Sequence, residues 1–307
     1  MTTLKDLVTI LDLASDDVRA LLALAHDIKR EPARFSQRLA GQTLAMIFQK
    51  SSTRTRVSFQ VGMSQLGGQG LFLSARDIQL GRGEPLSDTA QVLSRYVDGI
   101  MARTYAHSDV ETLAKYATVP VINGLTDLTH PCQALADLQT IEERFDTLAG
   151  RKMAYVGDGN NMAHSLMVAC AKVGMHFACV APKDYWMDPA LVTRANQVAN
   201  ETGVCILETA DPAEGVAGAH VVYTDVWASM GQEAEQEKRV RDFAGFEVNG
   251  ALMAHADPDA IFMHCLPAHR GEEVSAEVCD GPQSVIFDQA ENRLHMQKAI
   301  MVRLMGK

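Results

Sequence analysis

Thr43-Leu44-Ala45-Met46-Ile47-Phe48-Gln49, followed closely by Ser51-Ser52-Thr53-Arg54-Thr55-Arg56, is the stretch that decides the fold. A short, unbroken apolar run reads as a strand covered on both faces, the pattern of a parallel sheet. The hexad behind it supplies hydroxyls and two guanidiniums where a helix starting near Thr53 would present unpaired backbone N–H groups and the positive end of its dipole. Arg54 and Arg56 add fork-shaped donors that match phosphate oxygens. A Ser/Thr cap followed by two solvated arginines would explain a single Ser-x-x-Arg, whereas the whole hexad reads as a cradle for an oxyanion.

The same strand-turn-helix grammar continues outward. Candidate strands fall at 43–49, 70–74, 99–103 and 119–123, with helices at 53–66, 87–97 and 108–117, the last opened by a Ser108-x-x-Glu111 capping box. A second set of strands follows at 152–156, 177–180, 204–207, 220–224, 261–264 and 285–287, and Asp188-Pro189 reads as a cap with an N1 proline. A helix from Pro131 to about Arg144 joins the halves, and the apolar stretch 299–304 reads as a helix that docks back on the first half. The expected fold is therefore α/β: two doubly wound parallel-sheet domains, 1–140 and 141–289, joined by a linking helix, with 290–307 returning to the first. At 307 residues the chain exceeds one ordinary core, which fits two domains with a cleft between them as the expected site.

Composition narrows the ligand. A net charge of −10 argues against a nucleic-acid or anionic-membrane surface, so the arginines of the hexad must form a local basic pocket for a small anion. Six cysteines without a Cys-x-x-Cys pair, and an N-terminus without a signal h-region, suggest a reducing cytoplasm. No apolar run approaches the length of a spanning helix.

Open parallel sheets bind ligands beyond the carboxyl ends of their strands, and the informative residues sit there. Arg103 closes one strand, within reach of the anion proposed for Arg54. After the next come the Asn123-Gly124 turn and His130-Pro131-Cys132-Gln133, where Pro131 starts the linking helix and leaves an imidazole and an amide at its mouth. In the second half, Gly157-Asp158-Gly159-Asn160-Asn161 looks superficially like a dinucleotide fingerprint. Met162 occupies the place of the third glycine, and Ala181-Pro182-Lys183 offers no acid for a ribose. Asp225, followed by Ser229-Met230-Gly231, could clamp an amino acid through its ammonium and carboxylate, or could be a cap with a Ser/Gly loop. Cys265 in Cys265-Leu266-Pro267 is either a small buried hydrophobe or part of that site. A zinc site from His264, Cys265 and His269 lacks a matching second ligand cluster. Glu291-Asn292-Arg293 could add a cation to the cleft or form a solvated face.

Taken together, Ser-Thr-Arg-Thr-Arg at 52–56, His-Pro-Cys-Gln at 130–133, Gly-Asp-Gly-Asn-Asn at 157–161, Asp225 through Gly231, and His-Cys-Leu-Pro at 264–267 resemble the ornithine carbamoyltransferases, in order and spacing over essentially the whole chain. The resemblance implies a carbamoyl-phosphate domain, an ornithine domain and a homotrimer with interfacial sites. It implies that Ser52, Thr53, Arg54, Thr55 and Arg103 hold the phosphate, while Thr55, Arg103 and His130 polarise the carbamoyl oxygen. Gln133, Arg293 and the backbone carbonyls of Cys265 and Leu266 would orient the carbamoyl nitrogen. Asn161, Asp225, Ser229 and Met230 would bind the amino-acid end of L-ornithine, with Cys265 near its reacting amine. A neighbouring subunit would contribute Gln79 from a loop that departs from the family at Pro85. No metal or organic cofactor is implied. Rival readings are a carbamoyltransferase for another amine, a nicotinamide oxidoreductase and a non-catalytic phosphometabolite sensor.

Overall fold

Leu44 to Phe48 are all buried, as an inner parallel strand requires, and they set the first sheet. The computed structural model describes residues 4–228 and 233–306. The first run of elements is α1 (Ser15–Arg30), α2 (Pro32–Phe35), β1 (Thr43–Phe48), α3 (Thr53–Gln65), β2 (Gln69–Ser74), α4 (Leu86–Leu93), β3 (Gly99–Arg103), α5 (His107–Tyr116), β4 (Val121–Leu125) and α6 (Pro131–Phe145). The second is β5 (Lys152–Val156), α7 (Asn161–Val173), β6 (His176–Val180), α8 (Pro189–Thr202), β7 (Ile206–Thr209), α9 (Pro212–Val216), β8 (Val221–Thr224), α10 (Gln236–Asp242), α11 (Gly250–Met253), β9 (Ile261–His264), α12 (Ala276–Cys279) and α13 (Ile286–Met305).

The chain divides into two compact units, Met1–Gln139 with Glu291–Lys307, and Thr140–Ala290. Each holds one wholly parallel sheet, ordered β2-β1-β3-β4 in the first and β7-β6-β5-β8-β9 in the second. In both, strand order reverses beside a central strand, between β1 and β3 and between β5 and β8. Those switch points open a crevice at the strand ends. The first core packs Ala45, Ile47, Ile100, Ala102 and Val121 under Val110 and Leu113 of α5. The second packs Ala154, Val156, Ala178, Val222 and Phe262 against Phe243, Phe246 and Trp227. Within the first unit, α13 is tied down by Gln42 Nε2 donating to Met305 O (3.1 Å) and Lys298 Nζ donating to Gln65 Oε1 (3.0 Å). Among the described residues no helix is long and apolar enough to cross a membrane.

Three local expectations fail. Residues 285–287 form no strand: Val285 and Ile286 are buried side by side with Phe287 exposed, so the period is not two, and α13 begins at Ile286. Ser108 caps nothing, because His107, tied to Thr126 Oγ1 (2.9 Å), starts α5 one residue earlier with Ala106 at the cap position. The fourth and seventh strands lie two residues later than their apolar runs suggest, at Val121–Leu125 and Ile206–Thr209. Asp188 does cap α8, accepting from the N–H groups of Ala190 and Leu191, with Pro189 at the first position.

The glycine turn after β5 explains why its fingerprint is incomplete. Gly159 N–H donates to Tyr185 O (2.8 Å), and a Cβ on Gly159 would lie 2.5 Å from Met187 N and 2.6 Å from Trp186 C. The close approach that a dinucleotide pyrophosphate would need here is taken by the chain's own segment 185–187. Gly159→Ala should therefore destabilise the fold by about 1–3 kcal/mol through overpacking, measured by urea unfolding. An unchanged midpoint would show that the 185–187 segment yields freely.

Candidate active site

Ser52 caps α3: its Oγ accepts from Thr55 N (3.2 Å) and donates to Thr55 Oγ1 (3.1 Å). That same Oγ1 accepts from Arg293 Nη2 (2.7 Å), so the last helix of the unit reaches the cradle after β1. Thr53 and Arg54 fill the first turn of α3, Arg103 closes β3, and His130 precedes α6. Arg103, His130, Gln133, Thr55 and Arg293 are all buried. Ser51, Ser52, Thr53, Arg56, Ser74 and Arg76 line a depression of about 280 Å³, in which Arg56 lies 3.7 Å over the ring of Phe72.

A second set of buried groups lies behind these strand ends. Burial, and then the fields of Arg293, Arg103 and Arg54, hold the His130 imidazole well below its ordinary value near 6.5. His130 is neutral at physiological pH, an N–H donor beside three cations. Cys132 plays no such part: its Sγ donates to Asn123 O (3.3 Å), and burial pushes the thiol up to about 12. It is a packing residue.

In the second unit the turns after β5, β8 and β9 carry the candidates. Asn160 caps α7 by accepting from Met162 N (2.8 Å), leaving Asn161 as the first helical residue. Cys265 Sγ donates to Asp225 Oδ1 (3.0 Å), which also accepts from Val226 N (2.8 Å). The thiol is thus bound to the carboxylate and only partly buried, which favours the site reading over a core hydrophobe. Leu266, at φ 61°, is held by its N–H donating to His264 Nδ1 (2.8 Å), so the His264 proton sits on Nε2 and is given to Glu273 Oε1 (3.1 Å).

Asp225, His264 and Cys265 offer ligand atoms within 4.8 Å of one another, but both His264 nitrogens are committed to protein partners. His269 belongs to a separate group with Glu272 and Glu273, so the zinc set of His264, Cys265 and His269 is not assembled. Ser229 and Met230 lie outside the described residues. Gln79 is exposed on a short helical turn, Gln79–Arg82.

Sequence reasoning missed two buried groups. Arg239 Nη1 donates to Asp158 Oδ2 (2.6 Å) and Trp227 O (2.8 Å), while its Nε donates to Glu235 Oε2 (3.0 Å). In sequence it looks like any solvated helix cation, so no local signal marked it. Asp137 accepts from Gln133 Nε2 (2.8 Å), and there the signal existed: the two stand four apart on one helix face.

Residues 5–143 match the family model described as the aspartate/ornithine carbamoyltransferase carbamoyl-P binding domain, and residues 149–304 match its Asp/Orn binding domain. The ornithine carbamoyltransferase of Anoxybacillus flavithermus is 59% identical over 304 residues, 98% of this chain and 96% of that protein. That of Oceanobacillus iheyensis is 57% identical, covering 98% and 94%. The solved structure of ornithine carbamoyltransferase from Pyrococcus furiosus is 55% identical with a TM-score of 0.95, covering 98% of this chain and 97% of that one. The structure from Gloeobacter violaceus is 49% identical with a TM-score of 0.91 and full coverage of both. With both halves of the chain matched in order and relatives of this identity along nearly its whole length, the chain belongs to the aspartate/ornithine carbamoyltransferase family.

Proposed function

We propose that the chain is an ornithine carbamoyltransferase, moving the carbamoyl group of carbamoyl phosphate to the δ-amine of L-ornithine to give L-citrulline and phosphate, in the arginine-forming direction. The anabolic ornithine carbamoyltransferase of Pyrococcus furiosus, 55% identical over 304 residues, supports that direction. The carrying observation is the set of three guanidiniums, Arg54, Arg103 and Arg293, acting on the buried, neutral His130. An acyl phosphate gains negative charge at its carbonyl oxygen and its leaving phosphate as it reacts. Preorganised donors aimed at both places supply the largest share of catalysis.

In this reading the first unit takes carbamoyl phosphate and the second takes ornithine. Ser52, Thr53, Arg54, Thr55 and Arg103 hold the phosphate, and Thr55, Arg103 and His130 donate to the carbamoyl oxygen. The lone pair of the δ-nitrogen attacks the carbamoyl carbon, the oxyanion collapses, the bond from that carbon to the bridging phosphate oxygen breaks with its electron pair leaving on phosphate, and the departing phosphate takes the proton that the newly bonded nitrogen sheds. Gln133, Arg293 and the carbonyls of Cys265 and Leu266 orient the carbamoyl nitrogen. Asn161, Asp225, Ser229 and Met230 hold the amino acid. The reacting amine must first lose a proton, since a side-chain ammonium of this kind titrates near 10.4. Asp225, paired with the Cys265 thiol, faces that cationic end.

A cytoplasmic homotrimer completes the proposal. Val57, Val61 and Leu71 are 51%, 37% and 41% exposed on α3 and the edge strand β2, an apolar face suited to a second copy, and Gln79 is exposed to serve a neighbour. All six cysteines are free thiols, in keeping with a reducing compartment.

The decisive assay offers ornithine, aspartate and putrescine in parallel with carbamoyl phosphate. Citrulline formation alone is expected, from a species sedimenting at three times 33.4 kDa. Arg54→Lys should lose at least about tenfold in kcat/KM with an intact fold, because an ammonium cannot reproduce the guanidinium fork. Carbamoyl-aspartate as the main product, or near-normal turnover in that variant, would refute the reading.

His130 makes a pH prediction. Its folded pKa lies below the value near 6.5 of the unfolded chain, so between the two the unfolded state binds the extra proton. Stability contributed by the neutral imidazole is complete above about 6.5 and is lost as the pH falls toward the folded pKa. The fall in Tm between pH 7.5 and pH 5.5 should be smaller for His130→Gln than for the wild type. Equal falls would mean that His130 is not held neutral.

A further inference from the structure

Gln133 and Asp137 stand one turn apart on α6, 1% and 0% exposed. Gln133 Nε2 donates to Asp137 Oδ1 (2.8 Å), while Gln133 Oε1 is buried with no hydrogen-bond partner among the described residues. Asp137 Oδ1 accepts in that contact, so it fixes which end of the symmetric-looking amide turns toward it. The nitrogen is spent on Asp137. The oxygen is left as a pure acceptor, buried and unmatched until a donor arrives.

We propose that Asp137 is a positioning residue that makes Gln133 an obligate acceptor and thereby selects an acyl phosphate bearing an N–H donor, the carbamoyl group, against one bearing a methyl. The inference deepens the carbamoyltransferase reading and rests on its assignment of Gln133 to the carbamoyl nitrogen. Acetyl phosphate is the discriminating probe, since it keeps the phosphate, the carbonyl and the overall shape and replaces NH2 by CH3. A methyl group bound there would leave Oε1 desolvated and unsatisfied, and a site built to receive a hydrogen bond rejects the analogue that lacks one. Without the Asp137 carboxylate the Gln133 amide can rotate by half a turn and present N–H instead, which opposes the carbamoyl amide and tolerates the methyl. Selectivity then falls while the phosphate contacts, made by other residues, persist.

The experiment measures citrulline formation with acetyl phosphate and inorganic phosphate as competitive inhibitors. It is run in the wild type, Asp137→Asn, Asp137→Ser, Gln133→Met and the Asp137→Asn/Gln133→Met double variant. The readout is the inhibition constant of acetyl phosphate divided by the KM for carbamoyl phosphate. Asp137→Asn should lower that ratio about tenfold or more with the inhibition constant of inorganic phosphate unchanged; Asp137→Ser, which admits a water in place of the carboxylate, should do the same. Gln133→Met should match it, and adding Asp137→Asn to Gln133→Met should change nothing further, because Asp137 acts through Gln133. A wild-type ratio in the Asp137 variants while Gln133→Met loses it overturns the proposal alone. A wild-type ratio in Gln133→Met overturns the proposal together with the assignment of Gln133. A drop in affinity shared equally by all three ligands assigns Asp137 a merely structural role and also overturns it.

Discussion

Parallel strands must all leave the sheet at the same end, and that constraint organises everything else in this chain. Each crossover returns over a helix, so the turns after β1, β3 and β4 open together, as do those after β5, β8 and β9. Residues far apart in sequence are thereby gathered without any long-range code between them. The hexad at 51–56, Arg103 and His130 share one strand end of the first sheet, and Asn161, Asp225 and Cys265 share one of the second. Chemistry is assigned to each unit by what those turns carry: cations and a neutral donor in one, a carboxylate with its thiol in the other.

The first of these sets shows how the fold tunes a group by burial and charge. An imidazolium there would be a desolvated charge beside three guanidiniums, so burial first and those fields second keep His130 a neutral donor. The second set works by hydrogen bonding instead. His264 gives one nitrogen to the Leu266 N–H and the other to Glu273, and so it shapes the turn that presents Cys265 to Asp225.

Much of the fold was legible because strand-end residues are local in sequence: an apolar run, then a run of hydroxyls and arginines, marks both the strand and the helix start behind it. Both parallel sheets and the cap at Asp188 follow from such patterns. What sequence could not supply was competition between neighbours. Ser108 had the spacing of a cap, yet His107, held by Thr126 nineteen residues further on, is already the first residue of the helix. The stretch 285–287 had strand composition, yet the longer helical run behind it prevailed. Arg239 binds Asp158 across eighty-one residues, a distance over which charge pattern says nothing.

Thr55 carries a final consequence. Its Oγ1 accepts from Arg293 on one side and from the Ser52 hydroxyl on the other, which occupies both lone pairs of the oxygen. The hydroxyl rotor is therefore frozen before any ligand arrives, with its hydrogen turned away from both neighbours. A free threonine would lose rotational entropy each time it captured a substrate oxygen; this one has already lost it on folding, so in the proposed site its donation to an anion would cost correspondingly less.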